Sequence, residues 1–367
     1  MKVLYIYADN PREFNCSAWN CIEPAKAIDR SESNQASAIP LVKFLENDEQ
    51  TQKACWESDI IIFERNFFQD SLTMLMFWWV RGKVIAGIWD DAYNMMHHKN
   101  VSYNFWTHGE MKLLDKDNVE HTSYMHPKPV IQFKHGLHIL KGVQVVSDAL
   151  ANDWSPYVDT YKIHNHLTID KYLNVEPMYP HEGEIWIGWT GSLSHVDSFE
   201  SSGLLRAFRK VCKNFPNVKI LISGDRKIFD NIDVPANKKM FSPFVPAEKY
   251  PSLIKSLDIC TIPLSGEYDK RRSQIKPLEC MALKVPFVAT NYPNYNHLLE
   301  YGSFTENGWQ NWEYAISNSI ENIIKEKERS AEISYPFALT QDIDLHVQER
   351  IDLYQKLIDK PYRYQDE

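Results

Sequence analysis

The chain has 367 residues, more than one typical hydrophobic core needs, so its length predicts two domains or one large α/β unit. Its formal net charge of −9 excludes a general attraction to nucleic acid or to an anionic membrane. The apolar run 72–80 has about half the length of a membrane span. The N-terminal apolar run is too short for a signal peptide, and the cysteines show no zinc or redox spacing. We therefore expect a cytoplasmic protein without integral membrane contact.

Short apolar runs alternate with amphipathic stretches in the first half of the chain. This alternation predicts parallel strands that are covered by helices on both faces. The predicted strands are 2–7, 59–63, 83–88, 141–146 and 160–163, and the predicted helices are 22–28, 71–80 and 147–152.

A segment rich in proline, histidine and acidic residues, 176–184, is the predicted linker to a second half with the same alternation. We predict two doubly wound, Rossmann-like α/β domains at 1–175 and 185–340, and a helix in 341–367 that packs back on the first domain. In the second half the predicted strands are 185–189, 218–223, 259–263 and 285–289, and the predicted helices are 202–213, 247–256, one beginning near Ser273 and a C-terminal one at 343–358. A further alternation of strand and helix is predicted to end near Ile324.

One stretch of the second half, 268–282, combines charge with the start of a helix. Proline at 277 fits without penalty only in a first helical turn, so the helix must begin near Ser273, a good N-cap residue. The spacing of Arg272, Lys276 and Glu279 then places all three on one helix face. Two cations at a helix start suit a diphosphate, and a carboxylate one turn further suits the hydroxyl pair of a ribose. The alternative is the solvated, charged face of an ordinary helix.

Polar residues that directly follow predicted strands are the other candidates for a site. Ligands of open parallel sheets bind beyond the carboxyl ends of the strands. These candidates are Asp9, Arg65, Asp90, Asp91 and Asn165 in the first half, and Gly191, Ser192, His195, Gly224, Asp225 and the set from Arg272 to Glu279 in the second.

Seven histidines lie between 97 and 138, where they suggest a metal site. However, no pair has helical ligand spacing with a carboxylate in support, which favours the surface of a loop. We predict no metal site.

Four motifs of the second half follow one another in an order that resembles GT-B glycosyltransferases, especially those of family 4. In the first half, IWDDAY at 88–93 is similar to an aspartate-rich loop in one branch of that family, and IHNHL at 163–167 stands where its interdomain asparagine motif would be. The four motifs are GWTGSLSH at 188–195, LISGD at 221–225, SLDICTIPL at 256–264 and RSQIKPLECMALKVPFVAT at 272–290.

The resemblance implies the GT-B architecture, in which two Rossmann-like domains face each other across a cleft. It also implies that the second domain binds a nucleoside diphosphate sugar through backbone amides, two cations and a carboxylate on the ribose. The expected donor-binding residues are Gly191, Ser192, His195, Gly224, Ser273 and Glu279, with Arg272 and Lys276 neutralising the diphosphate.

Two positions depart from the family pattern. Arg271 stands where many members have a second glutamate that contacts the transferred sugar, and Lys284 stands where the family usually has glycine. The identity of the sugar therefore stays open.

Catalysis of sugar transfer requires stabilisation of the departing nucleoside diphosphate, which makes Arg272 and Lys276 catalytic candidates. Asp90 and Asp91 are further catalytic candidates, which would orient acceptor hydroxyls or stabilise positive charge on the sugar. Their alternative role is to cap the loop that follows them or to serve as a helix N-cap before Tyr93.

Arg65, Asp9 and Asn165 are expected to line the acceptor side of the site. Arg65 would meet an anionic acceptor or the donor phosphate, and its alternative is a surface ion pair with Glu64 or Asp70. His195 would contact phosphate, and its alternative is an ordinary histidine in a turn.

The expected donor is a UDP-sugar, with no further cofactor and no metal, because no Asp-x-Asp motif is placed at the diphosphate. Retention of anomeric configuration is implied by the resemblance. The acceptor is a glycan or cell-envelope precursor, or a hydroxymethylated base of phage-type DNA, in which case the compartment is the host cytoplasm. The alternatives are a nucleotide-sugar 2-epimerase on the same fold and a non-enzymatic two-domain solute-binding protein. The oligomeric state stays open.

Overall fold

The computed structural model describes residues 1–9, 16–191, 193–224 and 226–362. These residues form two compact units. The first contains the described residues up to 165 together with 343–362, and the second contains the described part of His166–Asp342. Each unit is built around a six-stranded parallel sheet, which confirms the predicted pair of doubly wound α/β domains.

The sheet of the first unit has the strand order β2-β1-β3-β4-β7-β8, so the direction of winding reverses between β1 and β3. Its central strands β1 and β3 are apolar runs buried on both faces, as a parallel sheet between two helix layers requires. Two further strands, β5 and β6, form a separate antiparallel hairpin. The strands are β1 (Lys2–Tyr7), β2 (Gln35–Pro40), β3 (Ile60–Glu64), β4 (Val84–Trp89), β5 (Glu110–Leu114), β6 (Glu120–Tyr124), β7 (Val143–Val145) and β8 (Thr160–Lys162).

The C-terminal helix Ile343–Asp359 packs on the first unit, as expected. The Tyr5 hydroxyl donates to the Tyr354 hydroxyl at 2.8 Å, and the Tyr354 hydroxyl donates to Gln144 Oε1 at 3.0 Å. This chain of buried hydrogen bonds joins residues that are far apart in sequence. The other α-helices of the unit are Glu23–Asp29, Leu41–Glu46, Glu49–Glu57, Gln69–Trp79, Tyr103–His108, Pro129–Gly136 and Asp148–Trp154.

The sheet of the second unit has the order β11-β10-β9-β12-β13-β14. Winding starts at β9, proceeds to β11 on one side and resumes at β12 on the other, so the reversal lies between β9 and β12. Crevices beyond the carboxyl ends of strands at such a reversal are the usual ligand sites of this class of sheet. The strands are β9 (Ile185–Gly191), β10 (Val218–Gly224), β11 (Lys239–Ser242), β12 (Ile259–Ile262), β13 (Phe287–Thr290) and β14 (Ser303–Thr305).

Helices cover this sheet. The helix Leu204–Asn214 buries Leu204, Phe208 and Val211 on one face, which follows the helical spacing of its apolar residues. No helix in the described part of the chain is long and apolar enough to cross a membrane. The α-helices of the second unit are Val196–Ser202, Leu204–Asn214, Arg226–Asp230, Tyr250–Lys255, Gly266–Asp269, Ile275–Ala282, Trp309–Glu321, Ile323–Arg329 and Tyr335–Leu339.

The strands β2 and β11 and the β5–β6 hairpin were missed by the sequence interpretation, and β14 was predicted only as part of an alternation without exact bounds. The edge strand β2 is at most partly buried, and β11 and β14 contain four and three residues. Such segments are too short or too exposed to show a hydrophobic period, and it is pairing with a neighbouring strand that makes them strands.

The unit boundary also differs from the predicted linker at 176–184. Residues 166–175, expected in the first domain, belong to the second unit. There the Leu167 amide donates to the Gln341 carbonyl at 3.0 Å, and the Tyr172 hydroxyl donates to Glu279 Oε1 at 3.1 Å. These contacts join distant parts of the chain, which a local composition change does not reveal.

Gly224 ends β10 opposite Gly191 of β9, and its φ is +109°. A Cβ at position 224 would overlap the carbonyl oxygen of Gly191, whereas Gly183, with φ +72°, has open space around its Cβ position. We expect Gly224→Ala to lower the free energy of unfolding by about 3 kcal/mol or more, and Gly183→Ala by about 1 kcal/mol from backbone strain alone. Urea unfolding of both variants measures the difference, and equal losses would contradict the proposed close approach.

Candidate functional site

The helix Ile275–Ala282 organises the candidate site of the second unit. Its N-cap residue is Gln274, and the Ser273 hydroxyl accepts a hydrogen bond from the Ile275 amide at 3.2 Å. Ser273 therefore supports the turn before the helix without being the N-cap. Arg272 precedes the helix, so the predicted single helical face holds for Lys276 and Glu279 but not for Arg272.

Arg272 is held by an ion pair that the sequence interpretation missed. Its Nε donates to Asp269 Oδ1 at 2.7 Å, and its guanidinium lies 4.8 Å from the centre of the Tyr268 ring. Asp269 is 1% exposed, and its Oδ2 accepts from the Ser198 hydroxyl at 2.5 Å and from the Ser265 amide at 2.7 Å. The signal for Asp269 was its place in the charged run just before Arg272, but its burial became visible only in the fold.

Lys276 lies at the carboxyl end of β9. Its Nζ donates to the Thr190 carbonyl and stands 5.6 Å from the centre of the Trp189 ring. Burial lowers the pKa of the Lys276 ammonium, and the neighbouring Glu279 carboxylate opposes that shift. The lysine is thus positioned at the strand end where the fold predicts a ligand.

Glu279 lies one turn further along the helix and is 2% exposed. Burial raises its pKa to about 7, against the lowering effects of Lys276 and of the hydrogen bond from Tyr172. Tyr172 was missed by the sequence interpretation, since it lies about 100 residues before its partner. In its ionised form this carboxylate can accept hydrogen bonds from a pair of hydroxyls.

His195 and the strand-end glycines complete the arrangement. Arg272 lies 3.1 Å from His195 Nε2, and the histidine is 7% exposed. Burial, followed by the charges of Arg272 and Lys276, lowers the pKa of His195 well below its usual range. Gly191 and Gly224 lie opposite each other at the ends of β9 and β10, while Ser192 and Asp225 lie outside the described residues.

The second unit therefore brings together Arg272, Lys276, Glu279, His195, Gly191 and Gly224 at one edge of its sheet. Two fixed cations and a neutral imidazole favour an anionic group, and the carboxylate favours a partner with hydroxyl donors. A compound that carries a diphosphate and a ribose combines both features.

Asp9, Asp90 and Asp91, predicted in the first unit, lie with Arg65 in a partly buried acidic cluster at the ends of β1, β3 and β4. Arg65 forms an ion pair with Asp9, so neither Glu64 nor Asp70 is its partner. Burial, followed by Asp91, raises the pKa of Asp90, and Arg65 opposes the shift. The cluster thus confines several negative charges around one guanidinium.

Glu64 is a member of this cluster that the sequence interpretation named only as a surface partner. It is 1% exposed, accepts from the Ala8 amide at 2.8 Å and from Asn20 Nδ2 at 3.2 Å, and also accepts from the Ser17 hydroxyl. Burial raises its pKa to about 7. Its position as the last residue of the apolar strand β3 was the available signal.

Asn165 is 1% exposed, and its side-chain amide has no hydrogen-bond partner in the described part of the chain. Within residues 1–9, 16–191, 193–224 and 226–362, the potential metal-ligand atoms that cluster within 4.8 Å of one another belong to Cys16, Asp90 and Asp91 in the first unit. None of the clustered histidines of 97–138 belongs to this group.

Comparison with known proteins bears on the second unit directly. Residues 184–325 match the family described as Glycosyl transferases group 1. The second unit contains a glycosyl transferase group 1 domain. The match includes every residue of the charged and glycine-containing arrangement described above, and the comparison with curated proteins found no match.

Solved structures resemble the whole chain. HepE of Anabaena in complex with UDP and glucose has a TM-score of 0.64 at 14% identity, over 97% of this chain and 99% of that chain. Sucrose-phosphate synthase of Thermosynechococcus elongatus has a TM-score of 0.62 at 11% identity, over 97% of this chain and 98% of that chain. A Listeria monocytogenes protein named as a UDP-N-acetylglucosamine 2-epimerase has a TM-score of 0.56 at 9% identity, over 99% of this chain and 98% of that chain. At these identities the likeness shows the fold alone.

The glycosyl transferase domain and the fold together confirm the prediction of a GT-B glycosyltransferase of the family 4 type. The site residues stay predictions, because neither the family match nor the fold assigns a role to any of them.

The pH dependence of stability can test whether the Glu279 carboxyl has a raised pKa in the folded protein. A carboxyl group with a folded pKa near 7 and an unfolded pKa near 4.3 stabilises the fold fully at low pH and loses that contribution as the pH rises through about 7. We expect wild type to lose up to about 3 kcal/mol relative to Glu279→Gln between about pH 4.5 and 8.

Urea unfolding of both proteins at a series of pH values measures this difference. Glu64, whose pKa is also about 7, is present in both proteins, so its contribution cancels. A difference between the two proteins that stays constant with pH would contradict the raised pKa of Glu279.

Proposed function

We propose that the protein transfers a sugar from a nucleoside diphosphate sugar, with UDP as the expected nucleotide, to an acceptor hydroxyl. The observation that carries this proposal is the placement of Arg272, Lys276 and Glu279 beside the carboxyl end of β9. Two cations at the diphosphate and one carboxylate at the ribose would match the two parts of a nucleotide donor. HepE, which shares the fold, is named as a complex with UDP and glucose.

The chemical demand of this reaction supports the roles of the cations. When the bond between the sugar and the diphosphate breaks, the departing phosphate gains negative charge. Arg272 and Lys276, each anchored by a hydrogen bond before any ligand binds, would stabilise that charge without reorganisation. Their stabilisation grows as the bond breaks, which is the requirement for lowering the barrier.

The proposed transfer retains anomeric configuration and needs no metal ion. In the described part of the second unit, Arg272, Lys276 and His195 lie near the proposed diphosphate position, and the Asp269 carboxylate is already paired with Arg272. This donor set favours direct binding of phosphate oxygens and is unlike the oxygen ligands of magnesium. The departing phosphate would accept the proton of the acceptor hydroxyl.

The acceptor is proposed to bind the first unit, near Asp90, Asp91, Arg65 and Asp9. The acidic cluster provides several hydrogen-bond acceptors for hydroxyl groups, which suits a glycan or a cell-envelope precursor. A DNA acceptor would require basic surface, and the acidic cluster argues against one at this edge of the sheet.

The donor hypothesis predicts binding that is specific for the nucleotide. UDP-sugars should raise the midpoint of thermal unfolding and undergo slow hydrolysis to UDP, and a chelator should leave both effects unchanged. A panel of UDP-, GDP- and ADP-sugars, with and without chelator, measures both by thermal shift and by release of nucleoside diphosphate.

Three outcomes of that panel would overturn parts of the proposal. If no nucleotide sugar stabilises the protein, the donor hypothesis fails. If activity requires added metal, the metal-independent mechanism fails. If the donor sugar is recovered with inverted configuration at C2 and no transfer occurs, the protein is an epimerase. The fold shared with the Listeria protein is compatible with that activity.

The proposed roles of the two cations can be tested by mutation, with thermal unfolding measured beside activity. Arg272→Ala or Lys276→Ala should lower donor hydrolysis by about 100-fold or more, because each removes a charge that stabilises the departing phosphate. The matched control is Lys270→Ala, since Lys270 is 40% exposed and pairs with Glu267 at 2.5 Å on the protein surface. Hydrolysis and thermal unfolding are measured for all three, and full activity of a folded Arg272 or Lys276 variant would remove that residue from the site.

A further inference from the structure

Asp269 has no role in the proposed function, yet it is the most completely bonded carboxylate of the site. It is 1% exposed and accepts from the Ser198 hydroxyl, the Ser265 amide and Arg272 Nε, at 2.5, 2.7 and 2.7 Å. The Nε bond fixes the plane of the guanidinium, because a guanidinium is rigid and planar. The other nitrogens of Arg272 therefore point in directions that Asp269 sets.

One of those nitrogens determines the protonation of His195. Arg272 Nη1 lies 3.1 Å from His195 Nε2, and a guanidinium has donors but no acceptor. Nε2 must therefore accept, so it carries no hydrogen. Because the imidazole is buried and also faces the charges of Arg272 and Lys276, its pKa is lowered and the neutral form is favoured. Its single hydrogen must then be on Nδ1.

The Nδ1–H group is then a buried donor that no described residue satisfies. Nδ1 is buried and lacks a hydrogen-bond partner in the described part of the chain, and the whole side chain is 7% exposed. Buried donors are nearly always paired, so a lone one at a ligand-binding edge indicates a partner that comes with the ligand. Between two cations, that partner is an anion.

We propose that Asp269 is a positioning residue which, through Arg272, holds His195 as the Nδ1–H tautomer so that Nδ1–H donates to a phosphate oxygen of the bound donor. This inference rests on the proposed function and adds a third, uncharged contact to the diphosphate. The contact strengthens as the phosphate oxygen gains negative charge, which makes His195 a catalytic residue. Asp269 does not touch the donor and acts through Arg272.

The tautomer can be observed directly by ¹⁵N–¹H correlation spectra of the histidine rings, with His195→Asn to identify the signals. We expect protonated Nδ1 and unprotonated Nε2 at His195 in wild type, and a shift toward protonated Nε2 in Asp269→Asn. Glu267→Gln is the matched control, because Glu267 lies two residues away and pairs with Lys270 and Arg271 instead. A protonated Nε2 in wild type, or an unchanged ring in Asp269→Asn, would overturn the proposal.

The contact with phosphate is tested by adding UDP to the same samples. The Nδ1–H signal should move when UDP binds, and binding of UDP without such a change would show that the group does not touch the phosphates. This outcome would refute the inference and leave the donor site intact.

The two ring nitrogens can be separated by mutation. The amide nitrogen of asparagine takes the approximate place of Nδ1, and that of glutamine the place of Nε2. We expect His195→Gln to lower donor hydrolysis by about 100-fold and His195→Asn by about 10-fold or less, with thermal unfolding as the check on folding. Equal losses, or a larger loss in the asparagine variant, would contradict the role of Nδ1–H.

Failure of this inference is distinguishable from failure of the proposed function. If Arg272→Ala loses donor hydrolysis while Asp269→Asn and His195→Gln retain it, the donor site is supported and the positioning role of Asp269 is refuted. If none of the three variants changes binding or hydrolysis of a UDP-sugar, the proposed function falls as well.

Discussion

The ion pair between Asp269 and Arg272 is the interaction on which the candidate site depends. A buried carboxylate is tolerated only where hydrogen bonds and a counter-charge replace water, and Asp269 has both. Loss of one partner of such a pair costs about 3–5 kcal/mol, because the remaining charge is left buried and unpaired. The pair therefore keeps one positive charge beside the end of β9 although Arg272 lies outside the helix that carries Lys276 and Glu279.

The charges of the site are held against the preference of a protein interior. Burial lowers the pKa of Lys276 and raises that of Glu279, so each group is pushed toward its neutral form and is sustained in part by the other. Strongly shifted pKa values of this kind are common at functional sites, where groups are arranged to bind a ligand and not to stabilise the empty protein. The buried Glu64 of the first unit shows the same pattern, with a pKa near 7 at the end of an apolar strand.

The strand-end rule accounted for much of what could be predicted. The strands β1, β3, β9 and β10 are central and buried, so each is a continuous apolar run whose position and end could be predicted from the sequence. The bounds of the short edge strands β11 and β14 could not be predicted, because three or four residues do not show a hydrophobic period. Tyr172 was also missed, because it donates its hydrogen bond to Glu279 from a segment expected in the other domain.

The sequence by itself determined the fold class, the two-part organisation and the presence of a cationic helix start behind a glycine-containing turn, because these follow from local composition and from the order of motifs along the chain. Only the tertiary structure decided how Arg272 reaches the site, which nitrogen of His195 accepts, and that Asp269 and Glu279 are buried. Burial and hydrogen-bond partners arise when segments distant in sequence pack together, and that packing sets the protonation and orientation of the groups that would contact a ligand.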